Sequence, residues 1–134
     1  MKELEYPFDA TNIIKEKKQL KRILLNEKQN YIEKKVAILG GATTKDIRQV
    51  LELFLLNCGI RPTFYESEYN KYYEDGMFPN PELESFAPEI IYVCTGIRNI
   101  TDFPQMSDDK ESVDNKRQSV LNKFYGLWDA LTQR

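Results

Sequence analysis

The sequence predicts an α/β domain built on a short parallel sheet, and three observations carry that prediction. Apolar runs at 36–40, 62–67 and 89–95 are interleaved with amphipathic stretches, the alternation expected of parallel strands joined by helical crossovers. The run at 89–95 (Glu-Ile-Ile-Tyr-Val-Cys-Thr) is almost continuously apolar, as strands buried on both faces of a parallel sheet are. The segment from Val36 to Ile47 passes from an apolar run through Gly40 and Gly41 to Thr43, Thr44 and a helical pattern. A strand, tight turn and helix N-terminus of this kind form the first unit of an α/β sheet, whose ligands sit at the carboxyl ends of the strands.

The elements follow in order. Residues 12–30 read as a helix with Asn12 as N-cap and Ile13, Leu20, Ile23, Leu24 and Leu25 as a loose apolar stripe among lysines. Residues 36–40 form the first strand. Residues 44–58 form a helix in which Ile47, Val50, Leu51, Phe54, Leu55 and Cys58 share one face. Thr43 with Asp46 makes a capping box at its start, and Gly59 stops it. Residues 62–67 form the second strand, and with the first they bracket a helix in a right-handed crossover. A tyrosine-rich acidic loop with Tyr69, Tyr72 and Tyr73 follows. Residues 81–86 allow one or two helical turns, with Pro81 at the favoured first position. After the third strand, residues 101–114 are polar and read as loop. Residues 115–131 close the chain as a helix with Val120, Leu121, Phe124, Leu127, Trp128 and Leu131 on one side.

The 134 residues make one domain, spanning 1–134, large enough for a real core. Residues 1–37 carry nine Lys/Arg against six Asp/Glu, and residues 38–134 carry ten against fifteen. A basic N-terminal arm on an acidic body argues against nucleic-acid binding by the body. Cys58 on a helix face and Cys94 inside an apolar strand are expected to be buried free thiols, which suits a reducing cytoplasm. Residues 1–20 are charged without an apolar core, so no signal peptide is expected, and no run approaches membrane-spanning length. The chain contains no histidine, which removes Ser-His and Cys-His pairs and disfavours zinc. No metal and no cofactor are expected.

Two turns are candidate sites. At Gly40-Gly41-Ala42-Thr43-Thr44, free first-turn amides, the helix dipole and two hydroxyls would suit an anion. The alternative is that the glycines only allow the turn while Thr43 caps the helix. Esterases hold a nucleophile on such a turn, but the exposed small residue is Ala42, which has no reactive group. Gly96-Ile97-Arg98-Asn99 follows the third strand, so Arg98 and Asn99 are placed to face Ala42 and Thr43, Arg98 offering a fork for carboxylate or phosphate. The alternative there is that Arg98 pairs with Asp102 and Asn99 caps a loop. A third candidate is the tyrosine loop with Tyr65, Glu66, Glu68, Tyr69, Tyr72 and Tyr73, which reads as a lid over the core or as an interface or ligand wall. Asp108, Asp109 and Glu111 read as solvated loop rather than a metal site.

Taken in order, Lys17-Lys18-Gln19-Leu20-Lys21-Arg22-Ile23-Leu24, Val36-Ala37-Ile38-Leu39-Gly40-Gly41-Ala42-Thr43-Thr44, Tyr65-Glu66-Ser67-Glu68-Tyr69, Phe86-Ala87-Pro88-Glu89-Ile90-Ile91-Tyr92-Val93 and Leu127-Trp128-Asp129-Ala130-Leu131 resemble the N-terminal region of FkbH-like proteins. The resemblance runs from about residue 12 to residue 131. It implies a three-layer α/β/α, flavodoxin-like fold of the SGNH-hydrolase type, in front of a haloacid-dehalogenase-type domain that loads a glyceryl group onto a carrier protein. The SGNH Gly-Asp-Ser-x-Thr block would fall on Gly40, Gly41, Ala42, Thr43 and Thr44, so its aspartate and serine are missing. The Gly-x-Asn-Asp block would fall on Gly96, Ile97, Arg98 and Asn99, with Arg98 replacing the oxyanion-hole asparagine. The Asp-x-x-His block and the dehalogenase Asp-x-Asp signature have no counterpart. The chain is therefore expected to be a truncated first half of that fold: a stub, a split subunit or a fragment.

The function expected is a non-catalytic docking or scaffold domain for a carrier-protein-loading system, with no nucleic-acid or membrane partner. Lys17, Lys18, Lys21 and Arg22 would dock an acidic carrier protein or bring it to a separate haloacid-dehalogenase-type domain. The alternative is a degenerate hydrolase or a phosphate- or carboxylate-binding domain using Gly41, Ala42, Thr43, Thr44, Gly96, Arg98 and Asn99. Threonine would need a base to act as nucleophile, and none is evident in the sequence. Unpaired sheet edges and large apolar residues on the last helix predict a two-fold homodimer through the first or last helix.

Overall fold

The computed structural model describes residues 1–27 and 30–134. After a 3-10 turn at Lys2–Leu4, the elements are α1 (Ala10–Glu27), β1 (Ile32–Gly40), α2 (Lys45–Asn57), β2 (Ile60–Glu66), α3 (Tyr72–Met77), α4 (Pro81–Phe86), β3 (Ile90–Cys94), a second 3-10 turn (Ile97–Asn99) and α5 (Lys110–Thr132). The expected mixed α/β class with a small all-parallel sheet is what the chain forms. The strand order is β2-β1-β3, and both pairings are parallel. No helix among the described residues is long and apolar enough to cross a membrane.

The central strand organises two cores. Its side chains alternate across the sheet. Ala37 and Leu39 join Tyr72, Leu83 and Leu127 in a core under α3, α4 and α5. Val36 and Ile38, equally buried, turn to the opposite face, where α1 and α2 form the second layer. There Leu4, Ile13, Leu20, Leu24, Leu53 and Leu56 make a separate core. Helix α3 crosses α5 at Gly76, where any Cβ would strike the Leu127 side chain. Only glycine allows that approach.

Element ends follow local chemistry, with several departures from expectation. Helix α1 starts before Asn12, because the Asp9 carboxylate accepts the Asn12 amide at 3.0 Å and is the cap. Helix α1 is described as far as Glu27; residues 28 and 29 of the predicted helix lie outside the described residues, and Asn30, its predicted end, is not helical. Strand β1 starts at Ile32 rather than residue 36, since it pairs with β2 from Ile32↔Ile60 onward through residues with no apolar alternation. The Thr43/Asp46 capping box does not form. Thr44 is the N-cap residue without a side-chain cap bond, and Asp46 pairs with Lys17 at 2.9 Å. Gly59 does end α2, at φ 82°. Asn80 caps α4 with bonds from the amides of Glu82 and Leu83, and Pro81 takes the first position. Helix α5 begins at Lys110, earlier than residue 115, because the Asp109 carboxylate caps it through the Ser112 amide at 2.8 Å.

Two burial expectations are overturned, and one loop proves partly helical. The fully buried residues of α2 are Leu53 and Leu56, whereas Ile47 and Cys58 are exposed. Apolar residues surround most of this helix, so periodicity finds a stripe without deciding which stripe packs. Strand β3 is not covered on both faces: Ile90 and Tyr92, on the same face as their partners Val36 and Ile38, remain 45% and 43% exposed. The tyrosine segment is partly helical. Within it Tyr72 is buried and stacks on Phe124 at 6.4 Å, Tyr73 packs beside it, and Tyr69 stays exposed.

Candidate functional site

The carboxyl ends of the three strands converge, as a parallel sheet requires, and their turns are laced together. The Gly40 amide donates to Ser67 Oγ at 2.9 Å, just past β2, and the Gly41 amide donates to the Cys94 carbonyl at 2.8 Å. Asn99 is the central clamp. Its Nδ2 donates to the Gly41 carbonyl at 2.9 Å and to Asn70 Oδ1 at 3.1 Å, while its Oδ1 accepts the Gly96 amide at 2.8 Å. Asn70 occupies the left-handed region at φ 59°, a conformation asparagine tolerates better than most residues. A Cβ on Gly41 would fall onto the Asn99 amide. The second glycine of the turn is therefore required by this close approach.

Of the pair expected to face the first turn, Asn99 does so and is buried, whereas Arg98 is exposed and has no ion-pair partner among the described residues. Asp102, its expected alternative partner, lies 3.8 Å from Lys116. Ala42, Thr43 and Gly96 are exposed at the rim. Thr44 is only 5% exposed, and its hydroxyl donates to Glu66 Oε1 at 2.7 Å. A carboxylate base thus does stand beside a threonine, contrary to the expectation from sequence. Its other oxygen lies 3.0 Å from Arg48 Nε, in an ion pair not aligned as a hydrogen bond. This arrangement anchors the start of α2 to the end of β2. It does not present a hydroxyl to a substrate.

Ser67, Asn70 and Arg48 are the members of this site that sequence reasoning missed, and Glu66 was read with the tyrosine loop instead of with these turns. Glu66 and Ser67 had one usable signal, their position at the carboxyl end of the second parallel strand. Asp108 and Asp109 have structural roles. Asp108 accepts the Gln105 amide at 2.8 Å and pairs with Lys116 at 2.8 Å, and Asp109 caps α5. The Gln105 amide first, and then Lys116, hold the Asp108 carboxyl below its ordinary range. No group of three or more His, Cys, Asp or Glu residues among those described is placed to hold a metal ion.

The candidate docking residues on α1 divide into two sets. Lys17 reaches Asp46 at 2.9 Å and Lys21 reaches Glu52 at 2.8 Å, both on α2. The Lys17 ammonium, by hydrogen bond and charge, lowers the Asp46 carboxyl. Lys18 and Arg22 are exposed, with no ion-pair partner among the described residues, and Lys15 extends their face one turn earlier. No protein-family model, no curated protein and no solved structure matches the chain.

Proposed function

We propose that this chain is a non-catalytic docking module acting in the cytoplasm, which engages an acidic carrier protein and presents it to a separate haloacid-dehalogenase-type catalytic domain. The carrier and the catalytic partner come from the FkbH-like resemblance. The observation that carries docking is the exposed cationic ridge of Lys15, Lys18 and Arg22 on α1, on a chain whose net charge is −2. The missing chemistry supports the non-catalytic half of the reading. Ala42 stands at the exposed turn, the chain has no histidine, and Thr44, which bonds to a carboxylate, is buried. Positive charges outside internal ion pairs keep their full attraction for an acidic surface, and such attraction governs association rate and salt dependence.

The test is binding to a fluorescently labelled acidic acyl carrier protein, followed by anisotropy over a salt series. Lys18→Glu with Arg22→Glu weakens binding by about tenfold or more and flattens its salt dependence. Lys17→Gln with Lys21→Gln has the smaller effect, since those charges are already engaged by Asp46 and Glu52. Equal affinity for the native chain and the Lys18/Arg22 variant refutes this surface.

A further inference from the structure

We infer that the outer edge of β3 and the neighbouring face of α5 form a two-fold interface with a second copy of this chain. This surface lies apart from the α1 ridge and does not depend on the docking function.

The two edges of the sheet differ in protection. β2 carries Arg61, Pro62 and Glu66, and charge with proline on an edge strand is the usual defence against pairing with other chains. β3 is Ile90-Ile91-Tyr92-Val93-Cys94, without a charge or a proline. Beside it a groove of about 940 Å³ runs between α4 and the end of α5, with Ile91 and Val93 as floor and Trp128 and Leu131 as wall. The apolar surface continues up α5 through Leu121, Tyr125 and Trp128, which are 40%, 51% and 50% exposed. Tyr125 packs edge-on against Trp128 at 5.6 Å, so the two rings form one patch.

The occupant is argued from self-complementarity. β3 reads alike in either direction, with two apolar residues on each side of Tyr92. Antiparallel pairing centred on Tyr92 sets Ile90 opposite Cys94, Ile91 opposite Val93, and Tyr92 opposite itself. The first flanking charge, Glu89, then faces uncharged Thr95, so no like charges meet. On the α5 face the joined Ile91 and Val93 residues widen the floor beneath Trp128 and its symmetry mate. Full burial of an aromatic side chain removes about 150–250 Å², so half-exposed Tyr92, Tyr125 and Trp128 alone contribute about 300 Å² per copy. Strand pairing and the groove walls carry the total toward the ~800 Å² per partner of a stable dimer.

The chain has one tryptophan, so the native protein reports on its own interface. Sedimentation equilibrium is expected to give twice the 15.8 kDa chain mass, and Trp128 emission is expected to shift to shorter wavelength as concentration rises through the transition. Tyr92→Lys alone and Tyr92→Glu alone, each with far-UV circular dichroism like the native chain, are expected to be monomers, because like charges then meet on the axis. Mixing the two variants is expected to restore the dimer. A native chain that stays monomeric at about 100 μM overturns the proposal, and so does a dimer insensitive to both variants. A dimer lost in each variant but not regained on mixing overturns the Tyr92-centred pairing. Should either variant misfold, an unshifted Trp128 emission across the native dimer transition overturns the proposal without mutation.

Discussion

Replacing Gly41 by alanine tests the idea that Asn99 holds the strand ends together. The new Cβ would occupy the position of the Asn99 amide, so that side chain must leave. Three hydrogen bonds go with it, to the Gly41 carbonyl, to Asn70 and from the Gly96 amide. At roughly 1 kcal/mol net for each bond the loss is about 2–4 kcal/mol, a large share of the ~5–15 kcal/mol that stabilises a domain. The assay is urea unfolding followed by circular dichroism for the native chain, Gly41→Ala, Asn99→Ala and the double variant. Removing Asn99 also empties the space that the alanine needs, so Gly41→Ala should cost little in the Asn99→Ala background. A coupling of about 2 kcal/mol is expected between the two substitutions. Strictly additive effects would show that the approach of Asn99 to Gly41 does not set the cost and that the clamp is not what the turn is built around.

Other predictions follow from single contacts. Leu127→Ala empties a fully buried site against Gly76 of α3, and urea unfolding should show a loss of about 3–5 kcal/mol. The Asp108 carboxyl is held below its ordinary range by the Gln105 amide and Lys116. Its stabilising contribution is therefore present above its unfolded pKa of about 3.9 and is lost as pH falls through the lower folded value. Asp108→Asn should flatten the pH dependence of the thermal midpoint below about pH 4, and an unchanged acid limb would contradict that assignment. Turnover of a chromogenic ester should match the buffer blank, because Thr44, the threonine bonded to a carboxylate, is buried. Activity abolished by Thr43→Val or Thr44→Val would overturn the non-catalytic reading.

What the sequence determined by itself was the local grammar of the chain. Gly59 ends α2 in the left-handed region, and Asn80-Pro81 starts α4, because these residues impose their geometry on their immediate neighbours. The three apolar runs are the three strands, and the crossover segments make them parallel. In the site, Gly40 to Thr44 could be placed at a strand end from spacing alone. Asn99 could be brought near it, but not distinguished from Arg98 as the residue that turns inward.

Tertiary structure decided everything that depends on which surface meets which. Periodicity in α2 identifies apolar stripes, but the sheet and α1 together select Leu53 and Leu56 over Ile47 and Cys58. The apolar run of β3 suggested a covered strand, and only the strand order makes it an edge. Lys17 and Lys18 are neighbours in the sequence, yet one is held by Asp46 across a helix interface and the other faces outward. The Asn99 amide bonds to a carbonyl 58 residues away. Caps, turns and periods act through contacts a few residues apart, so a sequence displays them directly. The phase of a helix, the edge of a sheet and the partner of a charge are set by contacts between distant segments, and those exist only once the chain has folded.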